Sequence, residues 1–157
     1  MRFARRPMLA AGLLPGLAAA QPAAGLDVTG AIAPPTRRRL SLPELEALGM
    51  VEVVTTTPWT NGTQHFSGVP LQALLASLGA RGETLTAIAL NDYQVTIPRA
   101  PAIAADATIA TRQAGQPLSV RERGPFWIVF PWSRRAELDS AVVRQWAVWQ
   151  LARLDVS

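Results

Sequence analysis

The apolar residues of this chain fall into short runs separated by turn-forming residues, and this spacing restricts the fold more than any other feature of the sequence. Short runs that alternate with polar residues or are rich in β-branched residues are typical of strands. The predicted strands cover residues 26–32, 50–57, 84–90, 93–97, 107–112, 117–120, 126–130 and 148–156. Because strands and helices do not alternate regularly, we expect an α+β domain, with a mostly β core of mixed or antiparallel sheet and two short helices.

Two segments carry the signals of those helices. Ser41 and Glu44 have the spacing of a capping box, in which each side chain accepts a hydrogen bond from the backbone of the other residue. Gly49 is placed to end that helix in a left-handed turn. Leucines three and four residues apart within residues 71–78 predict the second helix.

Two tight turns and one buried strand are also predicted. Asn91 and Asp92 tolerate the positive φ of a hairpin turn, and residues 114–115 are an alanine–glycine pair in a similar position. Tyr93 is expected to begin an inward-facing strand. Residues 126–130 are continuously apolar, which is typical of a central strand.

The first 24 residues have the pattern of a cleavable signal peptide. A basic start is followed by an apolar stretch at residues 8–20 that ends in small residues. That stretch is short of the about 20 residues that a spanning helix needs. We therefore expect an exported, periplasmic protein that does not span the membrane after cleavage, with a single domain at residues 25–157; a retained N-terminal anchor is the alternative. The arginine pair at residues 5–6 leaves open general secretion or twin-arginine export.

The net charge does not indicate a nucleic-acid partner. The chain has fifteen basic and eleven acidic residues, all the basic ones arginine, and three arginines lie in the predicted leader. Removing them leaves twelve against eleven, whereas a nucleic-acid interface needs a basic face on the mature protein. The remaining cluster, Arg37–Arg39, is expected to be solvated in a proline-rich linker.

The chain has no cysteine and a single histidine. Disulfides, zinc–thiolate sites and thiol catalysis are therefore excluded, and so is a metal site built on several histidines. No metal site is predicted.

A polar loop predicted at residues 58–65 holds three candidate site residues: Trp59, Asn61 and His65. Trp59 is expected to form a pocket wall because its neighbours are polar. His65 and Ser67 would be the base and nucleophile of a hydrolase. The motifs that accompany such a pair are missing, so a surface or packing histidine is favoured.

Two further candidates, Arg121 and Arg123, precede Gly124. Arginine forks beside a glycine-containing loop suit an anionic ligand, with Arg112 close in sequence. If extended, Arg121 and Arg123 would point the same way; a solvated strand face is the favoured interpretation. Buried aromatic residues at strand spacing are usually core residues. Those expected in the core here are Trp127, Trp132, Trp146 and Trp149.

Five segments, in order, resemble one family. Residues 58–79 resemble a W-x-G-x-x-L-x-x-L-L-x-x-x-G region, residues 91–98 a D-G-Y-x-x-x-I-P hairpin and residues 114–118 an N-G-x-P-L turn. Residues 124–131 resemble a G-x-P-x-R-L-V-V-P strand, and residues 149–156 the closing K-W-L-x-x-I-x-V. The family is the oxidoreductase molybdopterin-binding domain, with the sulfite-oxidase-like fold. The resemblance implies an α+β fold that is mostly sheet.

The departures from the family pattern bear on function. The resemblance implies molybdenum held by a cysteine just before the W-x-G region, where this chain has Thr55–Thr57. A hydroxyl is a poor replacement for a soft thiolate ligand. Trp127 and Val148 stand where the family has an arginine and a lysine. The chain is most similar to small exported family members that keep the fold without an evident complete active site.

The resemblance thus implies a non-catalytic periplasmic ligand-binding or interaction module, with molybdopterin disfavoured as cofactor by the missing cysteine. Trp59, Asn61, His65, Arg121 and Arg123 would form its remnant pocket, and no catalytic residue is assigned. The expected partner is a small anionic ligand or a membrane sensor protein. The alternative is a molybdopterin-dependent oxidoreductase, or an accessory subunit of one with a redox partner, that holds the cofactor without a cysteine.

Overall fold

Ten strands and four short α-helices lie within residues 23–157, the part of the chain that the computed structural model describes. The strands are β1 (Gly25–Gly30), β2 (Arg37–Ser41), β3 (Val51–Thr55), β4 (Gln64–Pro70), β5 (Thr84–Ala89), β6 (Gln94–Pro98), β7 (Thr108–Gln113), β8 (Gln116–Pro117), β9 (Trp127–Val129) and β10 (Leu151–Val156). The helices are α1 (Leu42–Glu46), α2 (Leu71–Ser77), α3 (Arg99–Ala104) and α4 (Ala141–Trp146). The predicted α+β class is confirmed; α3 and α4 were not predicted.

The first sheet has the strand order β2-β1-β10-β5-β6. β1 and β10 run parallel, while the other neighbours in this sheet are antiparallel, so the sheet is mixed as predicted. The C-terminal strand β10 lies at its centre. Along β5, Leu85, Ala87 and Ala89 point to the core, as the period of two along a strand requires.

The second sheet has the order β3-β4-β7-β8, with β9 also paired to β7. All of its pairings are antiparallel. The prediction of a central strand at residues 126–130 is wrong in this respect. β9 has only three residues and pairs with one strand, and Ile128 N donates to Val148 O, in the segment before β10, at 3.0 Å.

The helix signals at α1 are confirmed. Ser41 N donates to Glu44 Oε2 at 2.8 Å, and Glu44 N donates to Ser41 Oγ at 3.4 Å, which together make the predicted capping box. The hydrogen bond from the Ser41 backbone is the main cause of a lowered Glu44 pKa. Gly49 has a φ of +112°, the left-handed conformation expected after the helix end.

Two predicted segments are corrected. The last two residues of the loop predicted at residues 58–65 belong to β4, because β3 and β7 pair with both edges of residues 64–70. The predicted linker around Arg37–Arg39 is instead part of the edge strand β2, where Arg39 Nη1 lies 2.9 Å from Asp27 Oδ2 on β1.

Buried side chains from both sheets and the helices form one hydrophobic cluster, in which Trp127 is the largest fully buried residue. The predicted signal peptide, residues 1–24, lies outside the described residues except for its last two positions. Among the described helices, none is long and apolar enough to cross a membrane.

Candidate functional site

Trp59 lies in the loop after β3 and is partly buried against three other tryptophans. Its ring centroid is 5.3 Å from that of Trp149, 5.9 Å from Trp132 and 6.1 Å from Trp127, in edge-to-face geometry each time. We call these four residues the tryptophan cluster. Edge-to-face contacts favour fixed ring orientations, so Trp59 is held in place by its neighbours.

Arg123 contacts the tryptophan cluster through a hydrogen bond and two cation–π contacts. Its Nη2 donates to the backbone oxygen of Trp59 at 3.0 Å. Its guanidinium lies 5.5 Å from the ring centroid of Trp127 and 5.6 Å from that of Trp149, within cation–π range. The structure therefore brings together two of the predicted site residues, Trp59 and Arg123. Arg123 contacts the tryptophans and stabilises their arrangement.

The extended backbone that would point Arg121 and Arg123 the same way is not present. Residues 120–122 form a 3₁₀ turn, and Arg123 follows it with a φ of +68°. The turn sends Arg121 to solvent while Arg123 reaches the tryptophans. Nearby Arg112 is also not free for a ligand: its Nε donates to Glu46 Oε1 at 2.7 Å, and this bond is the main cause of a lowered Glu46 pKa.

The other predicted residues lie apart from the tryptophan cluster. Asn61 is exposed in the turn before β4, and His65 is exposed on β4 opposite Val54. Ser67 lies two residues along the same strand, but no hydrogen bond joins its hydroxyl to His65 among the described residues. The hydrolase hypothesis therefore has no base–nucleophile contact in this structure.

A cavity of about 370 Å³ opens beside Trp59. We call it the aromatic cavity. Trp59, Tyr93 and Trp149 supply its aromatic walls, and Asn91 and Arg144 are among its polar lining residues. The prediction that Tyr93 faces inward is wrong: it is 47% exposed, because it lies in the turn ahead of β6 and its ring lines this opening.

Sequence reasoning missed two polar residues of the aromatic cavity, Arg144 and Gln145, because α4 was not predicted. A signal for that helix was present. Ser140 caps α4 by accepting a hydrogen bond from Val143 N at 3.2 Å, and serine is a favoured N-cap residue. Nothing in the sequence connects α4 with Trp59, since the two are brought together only by the fold.

The threonines at the end of β3 are occupied by hydrogen bonds within the protein. The Thr55 hydroxyl is fully buried, donates to Thr56 O at 2.8 Å and accepts from Ser133 N at 3.0 Å. The Thr57 and Thr60 hydroxyls are 2.7 Å apart. These hydroxyls bind the end of β3 to the neighbouring loops.

A second cavity, of about 260 Å³, lies beside Thr56 and Thr57. It is also lined by Trp132, whose buried Nε1 finds no hydrogen-bond acceptor in the described part of the chain, and by Asp139, whose carboxylate is paired with Arg144 at 2.7 Å. Within residues 23–157, histidine and acidic residues nowhere form a group of three or more that would hold a metal ion.

A family model described as "Oxidoreductase molybdopterin binding domain" matches residues 24–137 of this chain. The chain belongs to this family. The match includes β1 to β9 and stops before α4 and β10. No protein of curated function matches the sequence.

A solved structure with the same fold is the sulfane dehydrogenase SoxCD from Paracoccus pantotrophus. It superposes with a TM-score of 0.63 at 17% sequence identity, over 85% of this chain. This chain spans 38% of the length of that SoxCD chain. At this identity the likeness shows the fold, and the predicted sulfite-oxidase-like molybdopterin-binding fold is confirmed.

The residues of this family member do not fit a cysteine-bound molybdenum cofactor. Thr55–Thr57 offer only hydroxyl oxygens where the family resemblance implies a thiolate, and those of Thr55 and Thr57 are already hydrogen-bonded within the protein. We therefore derive no redox step through molybdenum.

Proposed function

We propose that this protein is an exported, non-catalytic binding module that uses the molybdopterin-binding fold as a scaffold. The observation that carries the proposal is that Thr55, Thr56 and Thr57 stand where the family resemblance implies a cysteine ligand. The Thr55 hydroxyl is buried and bonded to Thr56 O and Ser133 N, so it is committed to holding two loops together. Hard hydroxyl ligands also do not suit the soft thiolate position of the family.

Two further positions support the same proposal. Trp127 is 0% exposed and Val148 is 2% exposed, and both stand where the family resemblance implies a cationic side chain. Apolar side chains buried in the core supply no charge to an anionic cofactor. The family's cationic positions have thus become part of the hydrophobic core of this chain.

The aromatic cavity is the binding site that this module would use. Its volume of about 370 Å³ is within the range of small-molecule sites, which is about 300–1,000 Å³. Trp59 and Trp149 are held by Arg123, so the walls are formed before a ligand arrives. The ligand we propose is a small anion, and a membrane sensor protein is the partner that would receive the signal.

Family membership favours one alternative. The chain would be a molybdopterin-dependent oxidoreductase, or an accessory subunit of one with a redox partner, that retains the cofactor without a cysteine ligand. The match over residues 24–137 supports this alternative, while the threonines at the ligand position oppose it.

The test is the metal and pterin content of the native protein. The mature protein is purified from the periplasm of a molybdenum-replete host, with a cysteine-containing molybdoenzyme expressed in the same host as the control. Molybdenum is counted by elemental mass spectrometry and pterin by fluorescence after oxidation. We expect both in the control and neither in this protein. Near-stoichiometric molybdenum and pterin would reject the non-catalytic module and support the alternative.

Fractionation of the same host tests export. The N-terminal sequence of the periplasmic protein should begin between residues 19 and 25, after removal of the leader. An intact Met1 in the cytoplasmic fraction would reject the exported location, and an intact Met1 in the membrane fraction would reject cleavage of the leader.

A further inference from the structure

The lining of the aromatic cavity includes both aromatic and polar residues. Trp59, Tyr93 and Trp149 provide aromatic surface, whereas α4 and the β5–β6 turn contribute Asn91, Arg144 and Gln145. A ligand that fills this cavity therefore meets π surface on one part and hydrogen-bond donors on another.

The donors at the opening are available. Among the described residues, the Asn91 side chain uses only its Oδ1, which accepts from Tyr93 N at 3.2 Å, so its NH₂ group has no protein acceptor. The side-chain amide of Gln145 makes no hydrogen bond within the described residues. Amide NH₂ groups each have two hydrogens to donate.

Arg144 adds the positive charge. Its guanidinium pairs with Asp139 at 2.7 Å, but both side chains are about half exposed, at 49% and 50%. Exposed pairs of this kind contribute little to stability. An arginine also has five N–H donors, so it keeps donors for a second anion while bonded to the first.

The exposure of Tyr93 also favours the binding of a ligand in the aromatic cavity. Tyr93 lines the cavity and is 47% exposed, and its hydroxyl donates to Gln145 O at 3.5 Å. Stacking of a flat ring between Tyr93 and the tryptophan cluster would remove part of the Tyr93 and Trp149 surface from water, which is favourable. Aromatic walls held by Arg123 require little reorganisation for such stacking.

We propose that the aromatic cavity binds a small aromatic carboxylate, with its ring between Tyr93 and Trp149 and its carboxylate on Arg144. The proposal rests on the proposed function, since it names the ligand class of the same module. Asn91 and Gln145 complete the recognition by donating to the carboxylate oxygens. The aromatic ring supplies the apolar contact, and the single charge selects acids over neutral analogues.

The experiment uses the mature full-length protein and three probes: 2-naphthoate, the neutral 2-naphthamide, and acetate. Binding is measured by isothermal titration calorimetry. We expect 2-naphthoate to bind more tightly than 2-naphthamide, and acetate to show no binding. Equal binding of the acid and the amide would overturn the role of Arg144, and no binding of either naphthalene probe would overturn the ligand class.

Variants locate the site. Arg144→Gln should weaken 2-naphthoate about tenfold and leave 2-naphthamide unchanged, because only the acid uses the charge. Tyr93→Ala should weaken both about fivefold through the lost ring contact. The matched control is Arg153→Gln, an exposed arginine on β10 outside the cavity, which should change neither. If Arg153→Gln weakens 2-naphthoate as much as Arg144→Gln does, the site assignment is wrong.

The two proposals fail separately. Molybdenum and pterin in the native protein would reject the non-catalytic module whatever the probes do. A protein free of both that binds no naphthoate would reject the aromatic carboxylate and leave the non-catalytic module standing.

Discussion

At the scale of single residues, Arg123 has the largest influence on the candidate site. Its side chain contacts Trp59, Trp127 and Trp149 together, through a hydrogen bond and two cation–π contacts. The residue is only partly exposed, so these contacts are less weakened by solvent than those of a surface arginine. The integrity of the aromatic cavity therefore depends on this residue.

Replacement of Arg123 by Ala should lower the free energy of unfolding by about 1–3 kcal/mol, since it removes a charged hydrogen bond and both cation–π contacts. Urea unfolding followed by tryptophan fluorescence measures the change. Arg121→Ala serves as the control, because Arg121 is exposed in the preceding turn and should change the free energy by less than about 0.5 kcal/mol. Equal effects of the two substitutions would contradict the assigned role of Arg123.

Glu46 determines a pH dependence at the same scale. Its pKa lies below the ordinary value of 4.5, first because of the hydrogen bond from Arg112. A carboxyl with a depressed folded-state pKa contributes stability above its unfolded-state pKa and loses it as the pH falls through the folded-state pKa. The contribution should therefore be complete at pH 6 and disappear as the pH falls below about 4.5.

The measurement is the midpoint of thermal unfolding of the wild type and of Glu46→Gln between pH 7 and pH 3. The wild type should be the more stable of the two at pH 7, and the gap should narrow on acidification. A gap that is constant over this range would show that the Glu46–Arg112 pair does not contribute to the acid dependence.

At the scale of elements, the contact between β4 and β7 depends on Gly68. A Cβ at this position would collide with the backbone oxygen of Ile109 on β7, at a point where the register of the two strands shifts. The neighbouring Ser67 is partly exposed, and its hydroxyl makes no hydrogen bond within the described residues. Glycine is thus required here by the close approach of two backbones.

Gly68→Ala should lower the free energy of unfolding by about 1–3 kcal/mol or more, because the clash is with backbone that cannot move aside. Chemical denaturation monitored by circular dichroism measures it. Ser67→Ala on the same strand is the matched control and should be nearly neutral. An unchanged free energy of unfolding in Gly68→Ala would show that the backbones of β4 and β7 are not in close contact at this position.

At the scale of the whole molecule, β10 is the element on which the first sheet depends. It lies between β1 and β5 and buries Leu151, Leu154 and Val156. This strand lies beyond residue 137, where the match to the family model ends. The C-terminal segment is therefore an integral part of the fold, although it lies outside the matched region.

A chain that ends at residue 147 should fail to fold, because its loss of β10 leaves the edges of β1 and β5 unpaired and opens the core. The full-length Leu154→Ala variant is a milder change in the same strand. It should fold with a free energy of unfolding lower by about 2–5 kcal/mol. Circular dichroism during heating distinguishes the two. A cooperative unfolding transition in the shortened chain would contradict the central position of β10.

The fold class and the local signals could be predicted from the sequence because they depend on near neighbours. The capping box of α1 is formed by residues three positions apart, and Asp92 and Ala114 have the positive φ that their hairpin turns need. The family resemblance was likewise carried by short motifs. Of the candidate site, only Trp59 as a pocket wall and its proximity to Arg123 agree with the geometry now described.

The remaining features of the fold and of the candidate site depend on contacts between distant segments. The sequence by itself determined where most of the strands and turns lie, because burial with a period of two leaves a local pattern. Only the tertiary structure decided that β4 is a strand and that β9 lies beside a single neighbour, because strand pairing depends on partners elsewhere in the chain. It also decided the aromatic cavity, whose walls at Trp59 and Trp149 are ninety positions apart in the sequence and meet because the two sheets pack around one core.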